Sequence, residues 1–247
     1  MTMKVKITVI SVIYNVADSI EDTIYSVIEQ RKKRPDIELD FIIIDGASTD
    51  GTLKFLEKHD TEISNWISEK DNGIYDAMNK GLKMVEDGYV LFLGSGDKII
   101  SLIDSQLLLG DKMNAFYGDV WIGDRLFTSH MNHKLKRGNF LHHQGLLIHR
   151  SVFPVNGFNL IYKAYADYDL NIRLLNSDIS FIKTSSLIGF QRPGGLTNKV
   201  HVLEYLDIIK SNFGLTSFFI VFLIYVFSEV GTFFTRKESN LSWVKLI

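Results

Sequence analysis

Four short segments of the chain combine acidic, amide or hydroxyl side chains with small residues. They are residues 14–15, 45–51, 71–76 and 94–97. Carboxylates and amides in such segments exchange hydrogen bonds with the hydroxyl and N–H groups of a ligand, and glycines let the backbone approach it closely. The segments therefore predict a site for a polar ligand, provided that the fold brings them together.

The segment at 45–51 reads Asp-Gly-Ala-Ser-Thr-Asp-Gly and directly follows an apolar run. Asp45 at the end of that run is placed to accept hydrogen bonds from a base or a ribose, and a helix begins shortly afterwards. The alternative is that Asp45 and Asp50 form a turn and cap that helix, roles in which aspartate is common. The residues alone leave both interpretations open.

The elements that position these segments alternate between strand and helix patterns. Residues 7–13 are mostly β-branched and apolar, as in a strand buried on both faces, and Asp18 and Glu21 then form a capping pattern before a helix. The same alternation predicts strands at 41–44, 63–67 and 89–93 and helices at 52–58 and 74–86. It favours a mostly parallel α/β sheet, in which ligands bind beyond the carboxyl ends of the strands.

The second half of the chain is less regular. Residues 116–121 predict a strand with a hairpin partner at 126–132. Residues 215–227 carry no charge and form a distinct apolar tail. We expect one domain over residues 1–212 and a hydrophobic C-terminal tail over 213–247.

Composition excludes several classes of protein. The 27 Lys and Arg side chains are balanced by 29 Asp and Glu, so no overall field favours nucleic acid as a partner. The chain has no cysteine, which excludes disulfides, thiolate metal sites and a cysteine nucleophile and is typical of the cytoplasm. It lacks the glycine-rich phosphate loops of dehydrogenases and P-loop enzymes, and its first residues do not form a signal-peptide pattern.

The four segments occur in one order and in register with the predicted strand ends, and together they resemble the family 2 glycosyltransferases. The motifs are Val-Ile-Tyr-Asn at 12–15, Asp-Gly-Ala-Ser-Thr-Asp-Gly-Thr at 45–52, Asp-Asn-Gly-Ile-Tyr-Asp-Ala-Met-Asn-Lys-Gly at 71–81 and Phe-Leu-Gly-Ser-Gly-Asp at 92–97. The resemblance covers about residues 7–197 and points to bacterial members that extend O-antigen, capsule and colanic-acid oligosaccharides. It implies the α/β GT-A fold, a mostly parallel central sheet flanked by helices, here with a C-terminal hydrophobic helical tail.

The resemblance also implies an inverting transfer from a nucleotide-diphospho-sugar, with UDP as the expected nucleotide. The residues implied to bind this donor are Tyr14, Asn15, Asp45, Asp71, Asp76, Ser95 and Arg192. Asp45 is expected on the base and Asp71 near the ribose or the phosphates. The alternatives are a core aromatic for Tyr14, a side chain facing water for Asp76, and an ordinary glycine-rich turn around Arg192.

A divalent cation, Mg²⁺ or Mn²⁺, is implied at residues 94–97, where the family usually carries Asp-Ala-Asp-Asp. Here Gly94 and Gly96 stand in place of the first two acids, and only Asp97 keeps a carboxylate. One or two protein carboxylates are often enough when phosphates and water complete the shell of the ion. His143, in a His-His-Gln-Gly segment, is the further candidate for the metal, the diphosphate or the acceptor, and a structural histidine is the alternative. If this segment is a strand, only one of the two histidines points into the site.

Asp167 is the candidate general base. It lies in Tyr-Ala-Asp-Tyr-Asp-Leu at 165–170, which resembles the Glu-Asp region of the family with Ala166 at the glutamate position. In an inverting transfer a carboxylate takes the proton of the acceptor hydroxyl as that oxygen attacks the anomeric carbon. The alternative is an aspartate that interacts with a helix N-terminus, a role that suits Asp169 better.

The tail predicts contact with a membrane surface. Residues 215–227 are too short to span a hydrocarbon core, which needs about 20 apolar residues, and extending the run to Phe234 includes Glu229. Its aromatic residues, with Lys210 before it and Arg236-Lys237 after it, favour an interfacial or re-entrant segment. We therefore expect a cytoplasmic protein held peripherally on the inner face of the cell membrane, near a polyprenyl-diphosphate-linked saccharide acceptor. A core helix, a homo-oligomer interface and a single spanning helix are the alternatives.

Two other functions stay open at this stage. The residues that replace acids at 94, 96 and 166 also fit a catalytically weak or inactive protein that binds a sugar nucleotide or serves as a scaffold. A nucleotidyltransferase shares a similar sheet, but this sequence lacks its glycine-rich loop with Arg and Lys after the first strand.

Overall fold

The computed structural model describes residues 4–110, 114–131, 138–194 and 201–235, with side chains described as far as residue 226. Within these residues the chain forms five α-helices and nine strands in one sheet. The helices are α1 (Ile20–Lys33), α2 (Thr52–Lys58), α3 (Ile74–Lys83), α4 (Ala166–Leu175) and α5 (Val202–Thr235). The strands are β1 (Val5–Ile13), β2 (Ile37–Asp45), β3 (Asn65–Ser68), β4 (Tyr89–Gly94), β5 (Lys98–Ser101), β6 (Asn114–Ile122), β7 (Arg125–Phe127), β8 (Leu146–His149) and β9 (Ser180–Gln191).

Strands β1 to β4 form the parallel half of the sheet. β1 lies between β2 and β4, and β3 pairs with the outer edge of β2. β1 is buried from Ile7 to Ile13 because both of its faces are covered, which is what its continuous apolar run predicts. The predicted strands and helices of this half are confirmed, with ends that differ by a few residues.

The remaining strands make the sheet mixed. Its order is β3-β2-β1-β4-β8-β6-β9-β5, with β7 paired to β6 as the predicted hairpin. β8 runs antiparallel to both β4 and β6, whereas β9 runs parallel to β6 and antiparallel to β5. β5 and β9 fall outside the predicted strands, because lysine, serine and threonine interrupt their apolar residues.

Apolar side chains cover both faces of the sheet. On one face α1 packs over the strands, and Ile7, Ile24 and Phe116 are buried there. On the other face α3 and α4 bury Met78 and Tyr168. The loops that follow β1, β2 and β4 therefore rise from strands that are packed on both sides.

Helix α5 changes direction at Gly214, whose φ of 77° lies in the left-handed region that glycine adopts easily. Before this kink, Leu206, Ile208 and Ile209 are buried in the core. After it, many large apolar side chains are exposed: Leu215, Phe219, Ile220, Phe222, Leu223 and Ile224. The stretch Val202–Val226 is long and apolar enough to cross a membrane, by length and composition alone. The predicted hydrophobic helical tail is thus present. The basic pair Arg236-Lys237, which is part of the predicted membrane contact, lies outside the described residues.

Candidate functional site

The loops after β1 and β2 are joined by hydrogen bonds at one edge of the sheet. Asn15 donates its backbone N–H to Ser48 Oγ at 2.7 Å, and its Oδ1 accepts from Thr49 N at 2.8 Å. Asn15 (φ 51°) and Ala47 (φ 63°) have left-handed backbone, which costs about 1–2 kcal/mol for a residue with a Cβ and often marks ligand sites. Tyr14 beside them is 62% exposed, which excludes the core alternative for its side chain.

Asp45 ends β2 and is completely buried. One carboxylate oxygen accepts from the Ser48 hydroxyl, and the other accepts from Ser48 N at 2.9 Å and from Ser68 Oγ at 2.6 Å. The expected direct contact with the base does not agree with this geometry, because both oxygens already accept hydrogen bonds and neither is accessible. Asp45 instead ties the 45–51 loop to β3. Asp50 follows the capping alternative, since its Oδ1 accepts from Thr52 N at the start of α2.

Asp71 and Tyr14 converge on Gly46. A Cβ built on Gly46 would lie 3.0 Å from Asp71 Oδ2 and 3.4 Å from Tyr14 Cδ2, so the glycine leaves space between a carboxylate and an aromatic ring. Lys80 pairs with Asp71 at 2.6 Å and with Glu69 at 2.8 Å. Burial acts to lower the pKa of Lys80, but its hydrogen bonds to these two carboxylates raise it overall. This end of the site therefore holds a fixed cation beside Asp71.

Asp76 lies in the first turn of α3 and borders the same region. It accepts from Asn72 N at 2.9 Å, and its carboxylate is 4.0 Å from Lys80 Nζ. Asp76 therefore fixes the turn that carries Asp71. Asn79, one helical turn later, binds both backbone groups of Phe158 and is buried.

The turn at 94–97 surrounds a single carboxylate, that of Asp97, with N–H donors. Oδ1 accepts from Arg192 N at 2.8 Å, while Oδ2 accepts from Gly94 N at 2.8 Å and from Gln144 Nε2 at 2.7 Å. A Cβ on Gly94 would lie 2.9 Å from Asp97 Oδ2, and one on Gly96, whose φ is 79°, would overlap Cδ of Arg192. The two glycines that replace acids thus make room for Asp97 and Arg192.

Arg192 and Ser95 both face the N-terminus of α1. The Arg192 side chain is 46% exposed, and its guanidinium lies 3.5 Å from Asp18. Ser95 Oγ lies 3.0 Å from the hydroxyl of Ser19, which precedes α1. The predicted Asp18 cap is wrong, because Ser19 is the N-cap residue and Asp18 pairs with Arg192. An exposed guanidinium beside hydroxyls and a helix N-terminus is suited to an anionic group.

Asp167 lies in the first turn of α4 and is held on one side by two donors. Its Oδ1 accepts from Tyr168 N at 2.8 Å and from the Tyr75 hydroxyl at 3.1 Å. Its Oδ2 accepts from Asn139 Nδ2 at 3.2 Å and lies 4.0 Å from His143 Nδ1. Burial acts to raise the pKa of Asp167, but the neighbouring His143, together with the Tyr168 N–H and the Tyr75 hydroxyl, lowers it overall. The carboxylate is therefore ionised at neutral pH.

His143 and Gln144 connect Asp167 with the turn at 94–97. They lie in a 3₁₀ turn (His143–Gly145), so the expected alternation of strand faces does not apply. His143 contacts Asp167, whereas its neighbour Gln144 reaches Asp97. In this geometry the side chain beside Asp97 is Gln144, and a metal-binding role for His143 stays a prediction.

His142 has a structural position. Its ring packs edge-on against Phe127 with the ring centres 4.5 Å apart. Burial, with a smaller contribution from the charge of His143, lowers the pKa of His142 to about 4. His142 is therefore neutral at pH 7, and only His143 faces the candidate base.

Several side chains of the site were not among the predicted ones, and they include Tyr75, Lys80, Asn139 and Gln144. Tyr75 and Lys80 lie in the motif at 71–81 but occupy ordinary helical positions, and Gln144 follows the predicted His143. For Tyr75 and Lys80, their place in the motif at 71–81 was the feature of the sequence that could have indicated a role in the site. The partners of Tyr75 and Gln144 are 92 and 47 residues away in the sequence, so only the fold identifies these contacts.

The residues that surround Asp97 do not form a ready metal site. No group of three or more His, Cys, Asp or Glu side chains that could hold an ion occurs among the residues that the structure describes. Both oxygens of Asp97 accept from N–H groups, and Oδ1, which has a single donor, keeps a lone pair with which it could bind an ion. The set fits a cation that arrives with phosphate oxygens and takes one carboxylate from the protein.

Comparison with known proteins agrees with this geometry. Residues 8–97 match the model of Glycosyl transferase family 2. The chain is 26% identical over 220 residues to a PGL/p-HBAD biosynthesis glycosyltransferase of Mycobacterium bovis (strain BCG / Pasteur 1173P2), covering 83% of this chain and 86% of that relative. This relative does not carry the O-antigen, capsule or colanic-acid description that the motifs suggested.

Two solved structures are similar in fold. S. aureus TarS 1-349 in complex with UDP-GlcNAc has a TM-score of 0.61 at 18% identity, over 85% of this chain and 66% of that chain. In a second TarS structure with a longer chain, the match with this protein covers 38% of that chain. The mannosyltransferase PcManGT from Pyrobaculum calidifontis, in complex with GDP-Man and Mn²⁺, has a TM-score of 0.60 at 17% identity, over 89% of this chain and 68% of that chain. The expected GT-A fold is confirmed. Residues 8–97 are similar to Glycosyl transferase family 2, and most of the chain is similar to a glycosyltransferase.

Proposed function

We propose that the chain transfers a sugar, with inversion at the anomeric carbon, from a nucleotide-diphospho-sugar to a hydroxyl of a saccharide acceptor. The observation that carries this proposal is the environment of Asp167. Its carboxylate is ionised, one oxygen is fixed by Tyr75 and Tyr168, and the other is turned toward His143. The next residue, Gln144, binds the turn that carries Asp97, so a base and an anion-binding turn are linked through two adjacent residues.

In this mechanism Asp167 accepts the proton of the acceptor hydroxyl at Oδ2 as the hydroxyl oxygen attacks the anomeric carbon. The bond from that carbon to the diphosphate oxygen breaks on the opposite face, and the nucleoside diphosphate leaves with the bonding electrons. The donors on Oδ1 fix the orientation of the carboxylate, which matters because a misplaced base loses much of its effect. The lowered pKa of Asp167 keeps this base free of a proton at neutral pH.

The nucleotide binds over the loops that follow β1 and β2. The exposed ring of Tyr14 and the carboxylate of Asp71 flank the space above Gly46, which suits a planar base between an aromatic face and a hydrogen-bond acceptor. Arg192 and Ser95 receive the diphosphate beside the N-terminus of α1. UDP is the first nucleotide to test, and the GDP-Man complex of PcManGT makes GDP the second.

A divalent cation, Mg²⁺ or Mn²⁺, belongs to this proposal through Asp97. When bound with the donor, it would neutralise charge on the departing diphosphate. Activity should then fall to background in excess chelator and return with Mn²⁺, whereas full activity in chelator would leave Arg192 as the cation that performs this role.

The acceptor in this proposal is a polyprenyl-diphosphate-linked saccharide of bacterial surface polysaccharide synthesis, reached from the cytoplasmic face of the membrane. The exposed apolar side chains after Gly214 support membrane contact. Two further apolar side chains are exposed near the start of α5: Ile161 and Leu203. Because Glu204 binds the backbone of Lys163, Ile161 and Leu203 lie on neighbouring segments that border the loop before Asp167.

A second candidate function is binding of a sugar nucleotide without transfer. It is favoured by one observation: both oxygens of Asp97, the carboxylate of the 94–97 turn, already accept N–H donors from the protein.

A two-stage experiment tests the proposal. Thermal stabilisation of the full chain is first measured with UDP-, GDP- and dTDP-sugars, each with and without Mn²⁺. Release of the nucleoside diphosphate is then measured with the stabilising donor in the presence of lipid-linked saccharides. Turnover that Asp167→Asn abolishes supports the transferase, whereas stabilisation without turnover in the wild type supports the binding protein.

A further inference from the structure

Glu204, in the first turn of α5, binds three consecutive backbone N–H groups of another segment. Its Oε2 accepts from Lys163 N at 2.9 Å, and its Oε1 accepts from Ala164 N at 2.8 Å and from Tyr165 N at 2.7 Å. Hydrogen bonds to an ionised acceptor are roughly twice as strong as neutral ones. A single side chain therefore fixes the path of three residues.

The segment that Glu204 holds leads directly into the candidate base. Tyr165 is the N-cap of α4, and no side chain of its own caps that helix. The Tyr75 hydroxyl lies 2.8 Å from Ala164 O and 3.1 Å from Asp167 Oδ1, so it lies between the held loop and the carboxylate. A shift of the loop would therefore move both Asp167 and the donor that orients it.

The first half of α5 makes other contacts with the same region. Tyr162 donates its hydroxyl to Asp207 at 3.2 Å, and Asn212 Nδ2 lies 3.3 Å from Asp169 Oδ1. The rings of Tyr168 and Tyr205 stack with their centres 5.6 Å apart. These contacts secure the packing of the two helices. Of these α5 side chains, Glu204 is the one that binds backbone N–H groups ahead of Asp167, as far as the structure describes the helix.

We propose that Glu204 is a positioning residue for transfer: it acts through the 163–165 backbone to hold Asp167 where it meets the acceptor hydroxyl. This inference rests on the proposed role of Asp167 as general base. Glu204 touches neither donor nor acceptor. Its removal should therefore lower kcat and leave the donor site unchanged.

The test compares Glu204→Ala and Glu204→Gln in the full-length chain. We expect Glu204→Ala to lower kcat by about 10- to 100-fold, the cost of a misplaced catalytic group. Glu204→Gln should lie between it and the wild type, because the amide oxygen can still accept from Ala164 and Tyr165 while its NH₂ group faces Lys163 N. Affinity for UDP with Mn²⁺, measured by calorimetry, should change by less than about twofold in both variants. Glu57→Ala, an exposed glutamate on α2, is the matched control.

A double-mutant cycle separates positioning from general stability. If Glu204 acts through Asp167, adding Glu204→Ala to Asp167→Asn should lower kcat no further, because the group that it positions no longer accepts a proton. Three outcomes would overturn the inference. The kcat losses of the two single variants could multiply in the double variant, or Glu204→Ala could keep a kcat within about twofold of the wild type. The third outcome is an equal loss of UDP affinity and kcat. If Glu204→Ala does not fold, the same cycle with Glu204→Gln decides.

The outcome also distinguishes this inference from the proposed function. Wild-type turnover in Asp167→Asn would remove the base and the inference together. A large loss in Asp167→Asn with normal turnover in both Glu204 variants would remove the inference alone.

Discussion

At the scale of single residues, the carboxylates of this site differ in what occupies their oxygens. Those of Asp45 and Asp97 accept N–H or O–H donors from the protein on both oxygens. Asp167 is fixed mainly at Oδ1, while Oδ2 has one longer hydrogen bond and the His143 ring at 4.0 Å. Asp167 is accordingly the carboxylate of the three that is best able to accept a proton from a substrate.

Replacing Asp167 by asparagine tests this assignment. Asn keeps the size of the side chain but cannot take the proton, so we expect kcat to fall by about 100-fold or more at saturating donor. Thermal stabilisation by the donor should be retained, because Asp167 does not bind the nucleotide in this proposal. Asp169→Asn, two residues later, is a useful comparison, since its carboxylate pairs with Arg173. Wild-type turnover in Asp167→Asn would show that another group is the base.

Replacing Asp45 by alanine tests its corrected role. The change leaves the hydroxyls of Ser48 and Ser68 without their acceptor, so we expect a loss of about 1–3 kcal/mol in the free energy of unfolding, together with weaker donor binding. Urea unfolding and calorimetry measure the two effects. Weaker donor binding at unchanged stability would instead indicate the direct contact that the buried position of Asp45 argues against.

At the scale of elements, α5 has two parts with different surroundings. The residues before Gly214 contribute Leu206, Ile208 and Ile209 to the core, whereas those after it expose most of their apolar side chains. The sequence marks only the second part as unusual, because the first part has an ordinary amphipathic composition. The kink lies next to the boundary at residue 212, and we propose that the tail begins there.

Truncation on either side of the kink should give different results. A chain that ends at Phe213 keeps the buried half of α5, so it should retain its thermal unfolding temperature and donor binding but lose flotation with anionic lipid vesicles. A chain that ends at His201 loses the buried residues and Glu204, and we expect it to unfold or aggregate. If the chain that ends at Phe213 aggregates and the full chain is soluble without detergent, the tail belongs to the core or to an interface between copies.

At the scale of the whole molecule, the sequence predicts the parallel half of the sheet and the meeting of its loops. Mostly apolar runs identify β1, β2 and β4, and the geometry of parallel sheets places the following loops at one edge. The mixed half is harder to predict, because β5 and β9 alternate polar and apolar residues irregularly. The buried state of Asp45 is also not predictable, since it depends on Ser68, 23 residues away.

The stability of the whole chain should depend on pH through His142. Its pKa is about 4 in the folded protein and about 6.5 when unfolded, so the unfolded chain binds more protons between these values. The free energy of unfolding is therefore unaffected by His142 above about pH 6.5. It falls by roughly 1–3 kcal/mol as the pH decreases toward 4, because the unfolded chain takes up the proton first. His143 and Asp167 face this region, but the lowered pKa of Asp167 places its own effect below pH 4. Urea unfolding at pH 7 and 4.5 should show a smaller difference for His142→Gln than for the wild type, and equal differences would contradict this account.

The packing around Gly94 and Gly96 limits which substitutions the turn at 94–97 can accept. The Cβ of an aspartate at position 94 would already clash with the Asp97 carboxylate. An aspartate at position 96 would clash with the Arg192 side chain and would have to adopt the left-handed backbone of Gly96. A chain with aspartate at both positions would therefore need Asp97 to reorient and Arg192 to withdraw, and each of these changes breaks a contact of the present turn. Single substitutions toward the acidic motif should therefore be deleterious until the mutations that accommodate them are present.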